Sequence, residues 1–253
     1  MRKIELAVSV IIAAIAATGW AATPDPADEL VRSEALIRKA GLCYRELSGY
    51  QAVFDKEELE SDGKWDKEKT FIKFNKPFTI YMGWLEGAEN GRQLLYAEGK
   101  FDDKMQIRIP GFFNLIPIVQ LATDDPRVMS EEKHSIKSAG IGHFIKEFGD
   151  SFEESKQKNR VTVLDIRDVE VQGEQGTLVE VWFSDPTYEY PRTCVVFSKE
   201  HHLPIEVKLY KDRENLVESY RYLGLEVDPP SDDADFKQNA DGRIFNLYQQ
   251  ATS

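Results

Sequence analysis

The 253-residue chain carries only two cysteines and four histidines. A disulfide-dense miniprotein framework and a histidine-rich metal centre are therefore both excluded. It has no Cys-x-x-Cys pair, no Gly-x-Ser-x-Gly elbow, no His-Glu-x-x-His segment and no glycine-rich phosphate loop. The usual signatures of redox, hydrolase, zinc-protease and nucleotide-binding chemistry are thus missing. Positive charge is short as well: 32 Lys and Arg stand against 44 Asp and Glu, a net of −12. Such a surface repels nucleic-acid phosphate and anionic headgroups over a Debye length, so no nucleic-acid partner is expected. A single apolar run is long enough to discuss, which excludes a polytopic membrane protein. What is present is ordinary globular material, 42% hydrophobic and 11% aromatic, enough for a substantial core.

The apolar run is N-terminal. Arg2 and Lys3 precede Leu6 to Ala17, followed by the small residues Thr18, Gly19, Ala21 and Ala22 and then Pro24. A basic start, a short apolar stretch and a small-residue exit read as a secretory signal peptide over 1–21. The expectation is a soluble periplasmic or otherwise extracytoplasmic product spanning 22–253, with no transmembrane segment after cleavage. Removing the segment takes the net charge from −12 to −13, because Arg2 and Lys3 outweigh Glu5. In that compartment Cys43 and Cys194 either form one disulfide or sit as two small buried hydrophobes.

Asp25-Pro26 with Asp28-Glu29 reads as a helix start, and Leu36, Ala40, Cys43 and Leu47 recur on one face up to Ser48-Gly49. From Tyr50 the period becomes two. Phe78, Ile80, Met82 and Trp84 share a face, as do Met105, Ile107 and Ile109, with Gln106 and Arg108 opposite. The segment Phe112–Leu121 is either a lid or a short helix. Ile141, Phe144, Ile145, Phe148 and Phe152 predict an amphipathic helix over about 135–157. Strands then follow at Val161–Ile166, Thr177–Phe183, Thr193–Phe197, Ile205–Tyr210 and Leu216–Leu223, joined by short polar turns. The tail from Pro229 is acidic and turn-rich.

Nine or ten strands with two helices make an α+β fold of one domain. A sheet so wide curls, and its apolar face needs cover. The expected architecture is a strongly curved antiparallel sheet, a half-barrel, with the helices packed in its concave face. No catalytic residue, metal ligand or cofactor is assigned, and the chain is read as a non-enzyme. His201 and His202 sit in a turn before Pro204. Asn239, Asp241 and Gly242 lack the flanking acids of a calcium loop. The prominent feature is apolar surface on one face of the sheet. Either it is plain core, or two helices leave a cavity lined by Phe78, Ile80, Met82, Trp84, Met105, Ile107, Ile109, Val179, Val181 and Phe183. Met and aromatic side chains suit a flexible apolar ligand.

Several segments carry a family resemblance. Phe74 to Leu85 (FNKPFTIYMGWL) and Gly91 to Gly99 (GRQLLYAEG) resemble a bacterial LolA-like family of uncharacterised exported proteins. So do His134 with Gly140-Ile141-Gly142, His202-Leu203-Pro204-Ile205, and Tyr222-Leu223-Gly224-Leu225 with Asp233-Ala234-Asp235-Phe236. Ser135 replaces a proline of the family pattern. The resemblance implies the half-barrel of the superfamily that includes LolA, LolB and RseB, whose carriers shelter acyl chains in a concave face. It implies a carrier or chaperone in the cell envelope for a lipid or acylated ligand, with a lipoprotein or envelope protein as partner. The alternative is a non-enzymatic envelope interaction or sensor protein with a filled core. The carriers' arginine latch has no counterpart among these residues.

Overall fold

The computed structural model describes residues 25–109, 118–126, 136–230 and 236. The proposed signal segment 1–21, residues 112–117 of the expected lid or helix, His134, Asp233 to Asp235, and Asn239, Asp241 and Gly242 lie outside them. Helix α1 (Pro26–Glu46) leads into β1 (Gly49–Leu59), β2 (Trp65–Asn75), β3 (Thr79–Glu86), β4 (Gln93–Ala97), β5 (Lys104–Arg108) and β6 (Val119–Ala122). Helix α2 (Ile141–Gln157) follows. Then come β7 (Val161–Val171), β8 (Glu174–Phe183), β9 (Arg192–Ser198), β10 (Pro204–Tyr210) and β11 (Leu216–Val227).

All eleven strands join one open antiparallel sheet in the order β6-β5-β4-β3-β2-β1-β11-β10-β9-β8-β7. It is two meanders joined at their first and last strands, so the long-range β1–β11 pairing closes the domain and α2 is the crossover between the halves. Val119–Ala122, expected in a lid or short helix, is instead an edge strand whose Met105–Leu121 and Ile107–Val119 pairs extend the sheet.

Local chemistry explains both helices. The Asp25 carboxylate accepts from the Ala27 amide at 2.9 Å, and Pro26 opens the first turn. At the other end Lys76 Nζ donates to the carbonyls of Tyr44 and Arg45, the latter at 2.9 Å, satisfying acceptors that the helix leaves open. α2 begins at Gly140 with no side-chain cap of its own. Its first amide, Ile141 N–H, donates instead to the hydroxyl of buried Tyr50 on β1, 3.2 Å away. Gly140 has φ 96° and ψ 170°, a region open to glycine, and a Cβ there would stand 2.5 Å from that hydroxyl. A Cβ on Gly142 would meet the Tyr44 ring at 2.1 Å. The Gly-Ile-Gly segment is thus what lets α2 approach β1 and α1 so closely.

Both helices lie against the same face of the sheet. Tyr50 stacks on Phe74 with ring centroids 5.2 Å apart, and Tyr44 of α1 reaches Phe74 at 6.4 Å. Phe148 of α2 meets Phe183 of β8 edge-on at 6.3 Å. These residues belong to one continuous hydrophobic core. The opposite face is covered in part as well. Tyr81 and Leu95 are wholly buried there beneath Phe71, Phe101, Ile118 and Phe236. Gln106, opposite Leu95 on that face, is likewise wholly buried, its side-chain oxygen accepting from Gln120 Nε2 at 3.0 Å.

The disulfide alternative is not realised: Cys43 and Cys194 are free thiols. The alternation of β9 is the reason. Cys194 points to the face opposite its neighbour Thr193, where its cross-strand partners are Glu180 and Lys208, while Cys43 lies on α1. Burial, reinforced by Glu180, pushes the Cys194 thiol up to about 12.

Candidate functional site

A cavity of about 510 Å³ lies between α2 and the sheet, within the range of small-ligand sites. Cross-strand pairing builds its wall in rows. Ile72, Met82 and Leu94 are directly opposed across β2, β3 and β4 and all line it. Met105 continues that face onto β5, and Phe183, Val207 and Leu209 close it from the second meander. The roof is the side of α2 carrying Phe144 and Phe148, whose rings stack at 5.5 Å. Tyr188, in the β8–β9 connection, pins that roof. Its hydroxyl donates to the Ser151 carbonyl and accepts from Ser155 Oγ, both at 3.2 Å, and its ring lies 4.9 Å from Phe183. Exposed His143, Glu147 and Glu189 stand at the rim.

One end of the wall is polar. Moving along β1, the register that begins Tyr50, Ala52, Phe54 continues as Lys56 and Glu58; on β2 it continues from Ile72 through Thr70 to Glu68. Glu58, Glu68 and Glu218 are 6%, 9% and 2% exposed. Lys56 Nζ sits 3.4 Å from Glu68, and Trp84 Nε1 donates to the same carboxylate at 3.2 Å. Glu58 and Glu218 face each other directly across β1 and β11. The Tyr220 hydroxyl lies 2.6 Å from Glu58 and 2.7 Å from Glu218, and the Tyr190 hydroxyl donates to Glu218 at 2.6 Å. Burial first, then these carboxylates, push both phenols far above their usual range, so they remain neutral donors. Among the described residues no group of three His, Cys, Asp or Glu has the placement to hold a metal ion.

Of the ten side chains expected in the cavity, Met82, Trp84, Met105 and Phe183 line it. Ile80, Ile107, Val179 and Val181 share that face but are buried in the packed core beside it. Phe78 is half-buried, its ring 5.5 Å from Phe74 and 5.8 Å from Tyr96. Ile109 is a correction: it is 47% exposed, one residue beyond the end of β5, where no ladder enforces the alternation. Sequence reasoning missed Lys56, Glu58, Glu68, Glu218, Tyr190 and Tyr220. The available signal was charge on the apolar register of three strands.

Fold and cavity define a class of protein, a wide open antiparallel sheet that holds a largely apolar cavity beneath a crossover helix. The chain belongs to the family described as Protein of unknown function (DUF1571), whose pattern matches residues 47–243. Among solved structures it is similar to a LolA superfamily protein from Nitrosomonas europaea, at 10% identity and TM-score 0.37, over 78% of this chain and 94% of that one. It is also similar to the lipoprotein LppX of Mycobacterium tuberculosis, at 12% identity and TM-score 0.46, over 83% and 99%. A third likeness is to the MucA/MucB complex of Pseudomonas aeruginosa, at 12% identity and TM-score 0.43, over 83% of this chain and 62% of that one. Nothing matches among the curated proteins. No helix among the described residues is long and apolar enough to cross a membrane.

Proposed function

We propose that the protein is an extracytoplasmic, non-enzymatic carrier or chaperone that shelters a single acyl chain in the cavity between α2 and the sheet. In this reading residues 1–21 are removed on export, and the sheet wraps as a half-barrel with both helices in its concave face. The observation that carries the proposal is the cavity itself. Ile72, Met82, Leu94, Met105, Phe144 and Phe148 surround about 510 Å³, a volume that a filled-core interaction protein leaves unaccounted for. Burial contributes about 0.8 kcal/mol per methylene, so a dozen or so offset the cost of association without a charged anchor.

The test is calorimetric titration of the mature protein with a neutral monoacylglycerol. Saturable binding is expected, with a negative heat-capacity change from apolar burial. Met82→Asp places a charge in the wall and abolishes it. Thr162→Asp, at an exposed position on the other face, leaves it intact. A wild-type protein that does not bind the neutral lipid overturns the proposal.

A further inference from the structure

One side of α1 takes no part in the core. Ser33, Ile37 and Ala40 are buried, and Leu30, Leu36, Cys43 and Tyr44 pack against the same cluster. Val31 and Leu42 do neither. They are 64% and 43% exposed, two of the five large hydrophobics so placed among the described residues. With exposed Ala35 they form a stripe at i, i+4 and i+11, on the side of the helix turned away from the core. At 3.6 residues per turn, Arg38 and Arg45 flank that stripe on one side and Arg32 and Lys39 on the other. All four cations are exposed, and none has a carboxylate within ion-pair reach among the described residues. Helix α2 treats its lysines differently, pairing Lys146 with Asp150, Lys156 with Glu153 and Lys158 with Glu154. From Leu30 to Arg45 the sole acid is Glu34, half-buried and held by Lys156 at 3.1 Å. Asp28 and Glu29 in the first turn and Glu46 at the last position bound the patch at its two ends. A chain with a net charge of −12 thus presents one face that is cationic and apolar together.

We propose that this face of α1 docks the protein on an anionic lipid surface, the helix lying in the plane of the headgroups. Val31, Ala35 and Leu42 enter the boundary between headgroups and acyl chains, and the flanking cations reach lipid phosphates on their flexible stems. The stripe runs about 16 Å along the helix and the cations about 20 Å, so several headgroups are engaged at once. Charge complementarity names the occupant, and the apolar stripe between two cationic rows selects a bilayer over an acidic protein. The negative net charge does not oppose the contact. Both helices cover one face of the sheet, so carboxylates on the opposite face stand a helix diameter or more from a bilayer touching α1. That exceeds the Debye length of about 8 Å at physiological salt. The face is also separate from the cavity, to which α1 contributes no lining residue.

The experiment is flotation of the mature protein, residues 22–253, with two kinds of vesicle at low ionic strength: phosphatidylcholine alone, and phosphatidylcholine with phosphatidylglycerol in equal parts. The protein is expected to float with the anionic vesicles, to stay behind with the neutral ones, and to be released as salt shortens the Debye length. Each cation at an anionic surface is worth about fivefold in binding. The double variant Arg38→Gln, Lys39→Gln therefore weakens the interaction about 25-fold, and Leu42→Ser weakens it about fivefold or more through lost apolar burial. The control Lys64→Gln, Lys211→Gln removes two exposed cations from hairpin turns and changes binding less than about twofold. Equal binding to both vesicles, binding to neither, or anionic binding that the α1 variants leave unchanged overturns the proposal. Binding of soluble polyglutamate without vesicle binding, weakened by the Arg38→Gln, Lys39→Gln variant, assigns the face to an acidic protein and overturns it as well. None of these failures touches the acyl-chain reading, because the substituted residues lie outside the cavity.

Discussion

Replacing Gly140 with alanine tests how α2 is held over the cavity. The new Cβ meets two obstacles. At φ 96° and ψ 170° the backbone is in a glycine region, which costs an L-residue about 1–3 kcal/mol. The Cβ also stands 2.5 Å from the Tyr50 hydroxyl, so that ring must move, breaking the 3.2 Å bond to Ile141 N–H and adding about 1–3 kcal/mol of overpacking and lost hydrogen bonding. Together the substitution costs about 2–6 kcal/mol. Tyr50→Phe alone costs about 1–2 kcal/mol, since the ring keeps its stack on Phe74 while the amide loses its acceptor. In the Tyr50→Phe background the colliding oxygen is gone, and the next atom of that side chain, Cζ, lies at an ordinary 3.8 Å. Gly140→Ala then costs the backbone strain alone. Equilibrium urea unfolding of the four proteins, followed by tryptophan fluorescence and far-UV circular dichroism, should therefore show a coupling energy of about 1–3 kcal/mol. If Gly140→Ala costs the same in both backgrounds, within about 0.5 kcal/mol, the contact between Tyr50 and the start of α2 is wrong.

The remaining predictions concern charge and thiols. The Asp185 carboxyl is held at about 2 by bonds from the Thr187 side chain and amide and by Arg160. Its folded value lies below the unfolded one, near 3.9, so its contribution is fully present above that pH and lost as pH falls toward 2. The gap in melting temperature between wild type and Asp185→Asn should hold steady above about pH 5 and close on acidification; a gap that widens with acid contradicts the assignment. Cys43 and Cys194 should both react with a thiol reagent in unreduced, denatured protein, whereas Cys194 in the native protein should be unreactive at pH 8, its thiol being pushed up to about 12. Fewer than two reactive thiols after denaturation would show that a bond forms after all.

How much of this was written in the sequence depends on the range of the cause. The face of α2 is local: Ile141, Ile145, Phe148 and Phe152 follow the helical period and are buried as that period predicts. The alternation of β3, β5 and β8 is also local, and it put Met82, Trp84, Met105 and Phe183 on the cavity side. Ile109 failed because alternation binds a residue only while a neighbouring strand pairs with it. Val119–Ala122 was obscured because a four-residue edge strand carries too few residues to display a period. The acidic end of the cavity was hidden for a different reason. A glutamate in a strand reads as solvent-facing, yet Glu58 and Glu218 are buried because β1 and β11, 160 positions apart along these partners, pair directly. That contact is a property of topology. The clue that remained was positional: Lys56, Glu58 and Glu68 fall on the same parity as Phe54, Ile72 and Phe74, where an amphipathic strand would have placed apolar side chains.

The central claim is that a single acyl chain enters the space between α2 and the sheet, and the methionines report on it directly. Met82 and Met105 line that space from neighbouring parts of the wall, and the chain has four methionines in all, so a spectrum of methyl-labelled methionine is simple to assign by substitution. On titration with a monoacyl amphiphile, the Met82 and Met105 methyl signals should shift together and saturate at one ligand per protein. Methyl signals of Met82 and Met105 that stay in place while the ligand binds would put the chain elsewhere and contradict the account.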